Sequence, residues 1–291
     1  MSRRLFIVGS GIGNQVQTIP AFMYLRQRSE IDVVNNDGIN WEATNWLFKP
    51  LGVRVLRREE VKPADYLEQY LTLLCQRTPV IGVFVGSTDI VHLSDLKSEV
   101  KCNLFAVGGG EPEVPEGFLD CIPPMETTKV LIHDGYARNT ALTPWEAKSW
   151  PGHQRASESL RRRGVTVGSI GGPEELVEGT EDFTGSSLRE TIARIKGTKV
   201  LLSNDSGMYH LACAVGTPCV AVFTFTSHIK NYDPEFHRTV TVIRREDLEC
   251  SPCQPKLFEP NDTWKKKRDE CKWACQDVSV EEVVEVVMER L

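Results

Sequence analysis

The sequence holds 291 residues, 41% hydrophobic and 25% charged, and its 34 basic and 40 acidic side chains leave a formal net charge of −6. At about 150 residues per domain the length suits two domains, and the composition excludes a disordered, collagen-like or coiled-coil chain. The acidic balance weighs against a protein built to grip phosphate backbones, so nucleic acid is a partner left open but not favoured.

The first apolar run, residues 5–8, leads into the glycine loop Gly9-Ser-Gly11-Ile-Gly13-Asn14 and a helical stretch over 16–28. Strands are predicted at 31–34, 53–56, 80–85 and 103–107, with helix-like spacing of apolar residues over 41–51 and 64–77. Residues 1–122 read as one doubly wound domain. The stretch 108–124, with three glycines in a row and several prolines, reads as a hinge. A second series follows: strands at 129–133, 165–170, 199–203, 219–223 and 240–244, and helices at 154–163, 187–196 and 207–215. It gives a second Rossmann-like domain over 123–276, closed by an amphipathic helix within 277–291. The fold class is therefore α/β, two doubly wound sheets in tandem, whose ligands belong at the carboxyl ends of the strands in a cleft.

Nothing in the sequence approaches the roughly 18 uninterrupted apolar residues of a helical membrane span. The apolar run near the N-terminus is too short for a signal-peptide core. Nine cysteines, an odd number, read as thiols of a reducing compartment. A cytoplasmic protein is expected.

The glycine loop is a partial match to the dinucleotide fingerprint, with Asn14 where a glycine belongs and Asp32 or Asp37 as ribose-holding acids. It also reads as a tight strand-to-helix turn, or as a wall along which a substrate approaches the backbone at Gly11, Gly13 and Gln15. The run Asn204-Asp205-Ser206-Gly207-Met-Tyr-His210 says more. An apolar strand runs straight into a polar turn and an Ala-rich helix, so free amides and the positive end of the helix dipole form an anion site. Ser206 serves there as a cap or phosphate ligand, Gly207 permits close approach, and His210 stands one turn inside. A capped helix with a histidine packed beneath it accounts for the same residues taken singly.

Ser169-Ile-Gly171-Gly172-Pro173-Glu174-Glu175, Phe183-Thr-Gly185-Ser-Ser-Leu188-Arg-Glu190, the Asn204–His210 run and Gly216-Thr-Pro218 occur in an order that resembles glycosyltransferase family 9, the heptosyltransferase-like enzymes. The resemblance is strongest over 129–224 and extends to Gly11-Ile-Gly-Asn14, Thr18-Ile-Pro20 and Lys148-Ser-Trp-Pro151. It implies a GT-B architecture with the nucleotide-sugar held mainly by the C-terminal domain. Lys148 would neutralise donor phosphate and Glu175 would hold the ribose. Asn204, Asp205, Ser206, Gly207 and His210 would surround the diphosphate and sugar. No cofactor or metal is implied for the chemistry.

The departure is Asn14, where the lipopolysaccharide heptosyltransferases carry an aspartate taken as general base. An amide cannot accept the acceptor's proton. Asp37 and Asp89 follow predicted strands and are the candidate substitutes, although each also suits a loop or capping acid.

Cys250-Ser-Pro-Cys253 and Cys271-Lys-Trp-Ala-Cys275 have zinc-ribbon-like spacing, compatible with a structural Zn²⁺ or with four reduced thiols in a folded-back tail. Taken together, the expectation is an inverting, metal-independent glycosyltransferase. It would move a sugar from a nucleoside-diphosphate sugar to a hydroxyl of a glycan, lipid-linked or other polymeric acceptor. The same chemistry on protein or a modified nucleic-acid base is the first rival. A non-catalytic nucleotide-sugar-binding module is the second, and a dinucleotide oxidoreductase the most distant.

Overall fold

The structure is a computed structural model; it describes residues 3–9, 11–35, 41–62, 65–66, 68–71, 76–77, 98–112, 117–136, 145–252 and 270–291. The chain divides into two compact units, Met1–Cys121 with Ile229–His237, and Ile122–His228 with Arg238–Leu291.

In the first unit β1 (Arg3–Val8) is followed by α1 (Ile12–Val16), α2 (Ile19–Arg26), β2 (Glu30–Asn35), α3 (Trp41–Phe48) and β3 (Arg54–Leu56). Then come β4 (Glu68–Leu71), β5 (Gln76–Arg77) and α4 (Glu99–Ala106). The sheet order is β3-β2-β1-β4-β5, parallel except for the β4–β5 pair. Leu5, Phe6, Ile7 and Val8 are buried in succession, as a central parallel strand covered on both faces requires. Phe6 of this strand packs edge to face on Phe22, which meets Phe48 at a tilt, with ring centroids 4.3 Å and 4.9 Å apart.

Two sequence expectations fail here. The predicted helix over 64–77 is instead the strand pair β4 and β5, because β4 finds a partner in β1, Arg4 opposite Glu68 through Ile7 opposite Leu71. Pairing with a buried strand overrides helical spacing. The predicted strand 103–107 is the end of α4. Ser98 caps that helix by accepting the Lys101 amide at 3.2 Å, and Val100 and Leu104 are buried four residues apart while Phe105 faces solvent. The strand expected at 80–85 lies outside the described residues.

The second unit runs β6 (Val130–His133), α5 (His153–Arg162), β7 (Val167–Ser169), β8 (Glu181–Asp182), α6 (Leu188–Gly197), β9 (Val200–Asn204), α7 (Gly207–Ala214) and β10 (Cys219–Phe223). β11 (Val240–Arg244) and α9 (Val280–Glu289) complete it, while the short α8 (His228–Asn231) opens the 229–237 segment that belongs to the first unit. Its sheet, β11-β10-β9-β6-β7-β8, is parallel throughout. β6, β9 and β10 are buried at every position, and their apolar side chains join those of α5 and α9 in one core that includes Trp150. A capping box, Ser187 with Glu190, starts α6, and Gly216 at φ +81° follows α7, where a side chain would be strained. Among the described residues no helix is long and apolar enough to cross a membrane.

Candidate functional site

The strand order of the second sheet reverses between β6 and β9, and His133 stands opposite Ser203 at the carboxyl ends of that pair. A reversal of this kind opens a crevice between neighbouring loops, the usual ligand position in an open α/β sheet. The loops leaving the two strands, 134–136 and 205–206, therefore meet.

Ser206 turns the chain from β9 into α7. Its backbone is extended (φ −147°, ψ 173°) and its hydroxyl accepts the Met208 amide at 3.2 Å. The remaining first-turn amides keep the partial positive charge of a helix start. Asp205, almost wholly buried, pairs with Lys148 Nζ at 3.3 Å and lies 4.0 Å from His210 Nε2. Lys148 ends a 3-10 turn (Trp145–Lys148), so a cation and a helix start are brought to one point.

That turn is fixed by a network the sequence analysis missed. Asn204 Oδ1 accepts the Trp150 amide at 3.0 Å, and its Nδ2 donates to Asp134 Oδ1 at 3.5 Å. Ser149 Oγ donates to the same carboxylate at 2.6 Å, and His153 Nδ1 lies 3.0 Å from it. Burial works to raise the Asp134 pKa, but the bonds from His153, Ser149 and Asn204 outweigh it and hold the carboxyl below its usual range. The Trp150 indole, fully buried, donates to Val278 O at 3.1 Å. Asn204, expected at the donor, thus acts here as a bracket for the Lys148 turn.

Glu175 accepts the Gly172 amide at 2.8 Å, and its Oε2 lies 3.4 Å from His133 Nε2. His133 Nδ1 lies 3.0 Å from Ser206 Oγ. Lys148, Glu175, Asn204, Asp205, Ser206, Gly207 and His210 therefore belong to one connected site. His133, Asp134, Trp150 and His153 were missed, although the His-Asp-Gly sequence ending a predicted strand was a readable signal.

In the first unit the glycine loop follows β1, whose neighbours β2 and β4 again mark a reversal of strand order. Gly11 caps α1 with extended backbone and is exposed, while Gly13 and Asn14 are half-buried. Gln15 is buried and its amide donates to Gly9 O at 2.9 Å. Asp37 and Asp89 lie outside the described residues. Asp32 is engaged elsewhere: it binds the Arg54 guanidinium across the β2–β3 pair and accepts from Tyr66 Oη at 2.8 Å. A buried acid so occupied is not the ribose ligand of a dinucleotide site.

The cysteine tail folds back on the Lys148 turn. Cys250 and Trp273 pack against Ala147 and Phe225, and Gln276 Nε2 donates to Ser149 O at 2.8 Å. Cys250, Cys271 and Cys275 are free thiols, and Cys253 lies outside the described residues. Among the described residues no group of three or more His, Cys, Asp or Glu side chains is arranged to hold a metal ion.

Residues 129–261 match the family model described as glycosyltransferase family 9 (heptosyltransferase). The chain is 31% identical over 115 residues to lipooligosaccharide heptosyltransferase 2 of Haemophilus influenzae, a match over 34% of this chain and 33% of that protein. It thus spans about a third of this curated relative. Its fold resembles the iron-containing dodecameric glycosyltransferase TibC of enterotoxigenic E. coli, with a TM-score of 0.68 at 15% identity, covering 99% of this chain and 77% of that one. It also resembles the E. coli heptosyltransferase WaaC bound to ADP, with a TM-score of 0.54 at 16% identity, covering 92% and 99%. The α/β fold, with one parallel and one largely parallel sheet, is that of the GT-B heptosyltransferases. Residues 129–261, a little under half of the chain, are therefore similar to glycosyltransferase family 9.

Proposed function

We propose that the protein is a heptosyltransferase-like glycosyltransferase acting in glycan or lipopolysaccharide assembly. It transfers a sugar from a nucleoside-diphosphate sugar to an acceptor hydroxyl, with inversion and without a metal in the chemical step. The observation that carries this reading is the meeting of Lys148, Asp205 and His210 with the amide end of α7, beside Glu175. A diphosphate leaving group needs fixed positive charge more than it needs proton transfer, and a lysine with preorganised amides supplies that. Glu175 offers a carboxylate to paired ribose hydroxyls. ADP is the diphosphate to try first, because TibC was solved with ADP-D-β-D-heptose and WaaC with ADP.

Asn14 orients the acceptor and does not deprotonate it, which leaves Asp37 or Asp89 as the base. Gly11, Gly13 and Gln15 shape the acceptor side. A cytoplasmic location accords with the free thiols among the described cysteines.

By their spacing the four tail cysteines would suit a structural metal, and Cys250 and Trp273, the latter between Cys271 and Cys275, both pack against Phe225. The metal would be Zn²⁺ by the ligand spacing and would stabilise the fold of the tail. TibC is described as iron-containing, so metal analysis of the purified protein decides between zinc, iron and none.

Thermal unfolding with ADP, other nucleoside diphosphates and NAD tests the donor reading, since a ligand bound only by the folded state raises Tm. A shift with ADP that Lys148→Ala abolishes is expected. A shift with NAD alone, or none at all, overturns the proposal. The non-catalytic module, favoured only by Asn14, predicts the ADP shift without sugar transfer from ADP-heptose to any acceptor.

A further inference from the structure

His133 ends β6 and is buried between two residues of the donor site. Its Nδ1 lies 3.0 Å from Ser206 Oγ and 3.5 Å from Ser203 Oγ, and its Nε2 lies 3.4 Å from Glu175 Oε2. Ser203 Oγ donates to Asn204 O at 2.9 Å, so that hydroxyl's proton is already committed. Ser206 Oγ accepts the Met208 amide and lies 3.1 Å from Ser203 Oγ, so its one proton has two acceptors within reach, that hydroxyl oxygen and His133 Nδ1.

In the neutral ring the Glu175 carboxylate selects one tautomer. A carboxylate only accepts, so the nitrogen beside Glu175 carries the proton. The other nitrogen then accepts the Ser206 hydroxyl. The order Glu175, Nε2–H, Nδ1, Ser206 O–H runs without a donor meeting a donor.

The backbone makes room for this arrangement. A Cβ at Gly135 would fall on Glu175 Oε2 and on His133 Nε2, and one at Gly171 would fall on Glu175 Oε2 and 3.1 Å from His133 Cδ2. Gly171 also sits at φ +132°. Two glycines from different loops thus leave the space in which the carboxylate reaches the ring.

We infer that His133 is a positioning residue of the donor site, a buried bridge that ties Glu175 to the Ser206 cap so that both are held before the donor arrives. The inference rests on the donor reading given above and adds to it a residue that does not itself touch the sugar nucleotide. Ribose and diphosphate ligands placed on separate loops would otherwise lose rotamer freedom on binding, and a shared hydrogen-bond partner removes that cost beforehand.

The bridge is read first without ligand. Side-chain nitrogen-15 spectra of the whole protein, recorded where the ring is neutral, are expected to show His133 as the Nε2–H tautomer, with Glu175→Gln changing its population. An Nδ1–H ring overturns the bridge whatever the protein binds.

ADP affinity is then measured by calorimetry for the parent, His133→Ala, His133→Gln, Ser206→Ala and the His133→Ala/Ser206→Ala pair. Each alanine is expected to weaken ADP about five- to tenfold, with the double variant no weaker than the poorer single one. Glutamine, which keeps one donor and one acceptor, is expected to recover part of the loss, and it serves alone if the alanine variant fails to fold. Unchanged affinity in folded His133 variants, or losses that multiply, overturn the positioning role. Absence of ADP binding by the parent overturns the donor reading and the role with it, while the tautomer still reports whether the bridge exists.

Discussion

The two sheets reverse their strand order in the same way, yet the loops at the two reversals are furnished differently. At the β6–β9 reversal a lysine, three carboxylates, two histidines and a helix cap are held by direct contacts, most of them buried. At the β1–β4 reversal the loop carries glycines and a half-buried Asn14, and the buried Gln15 side chain donates to the Gly9 carbonyl. On the proposed function the first site meets the fixed charge of a diphosphate, which must be balanced before binding, and the second would offer backbone and the Asn14 amide to a hydroxylated acceptor. The same topology supplies the location in both units, and only the side chains decide the chemistry.

The sharpest way to break this contrast is Lys148→Ala. It leaves the buried Asp205 carboxylate without its lysine, and a loss of about 3 kcal/mol in stability together with loss of ADP-induced stabilisation is expected by calorimetry. An unchanged ADP shift would remove Lys148 from the donor site.

His237 offers the first unit's counterpart. Burial pushes its pKa from 6.5 down to about 4, and the ring accepts the Asp233 amide at 2.9 Å. Since the folded value is the depressed one, this contribution is complete above pH 6.5 and drains away as pH falls toward 4. The loss amounts to about 3 kcal/mol at the acid end. Hydrogen exchange over residues 229–237, corrected for intrinsic rate, should accelerate across that window in the parent and lose this dependence in His237→Asn.

A smaller effect is expected for Asn204→Ala. It strands the Trp150 amide, costs about 1–2 kcal/mol by denaturant unfolding and weakens ADP without removing the lysine itself. Arg163→Ala, which cuts an exposed pair with Glu285 on α9, should change stability by less than about 0.5 kcal/mol. Asn14→Ala should leave ADP affinity within about twofold of the parent while slowing sugar transfer, because its side chain belongs to the other unit. A large change in ADP affinity there would erase the division between the two sites.

Much of the second unit could be read before any coordinates. Its central strands β6, β9 and β10 are short, mostly apolar runs buried at every position, and such runs are legible as parallel strands, whereas β8, Glu181–Asp182, carries no such signal. Asn204–His210 announced itself because a strand, a capping serine and a helix follow one another in sequence. The first unit was harder. Around 64–77 the apolar spacing suits a helix, and only the presence of β1 as a partner made it strand; around 103–107 a short apolar run hid a helix whose cap, Ser98, lay further upstream.

By itself, then, the sequence determined the α/β class, most of the second unit's elements, the capped helix start at Ser206 and the resemblance of residues 129–261 to a glycosyltransferase family. It did so because those properties are local, written in periodicity, caps and motif spacing. Only the tertiary structure decided that His133 and Asp134, seventy positions from Ser203 and Asn204, share their site, that Asp32 is consumed by Arg54 and Tyr66, and that Gln276 braces the Lys148 turn. Those contacts depend on strand register and on where loops meet after the sheet has formed, and no stretch of sequence encodes a distance to a residue it reaches only through folding.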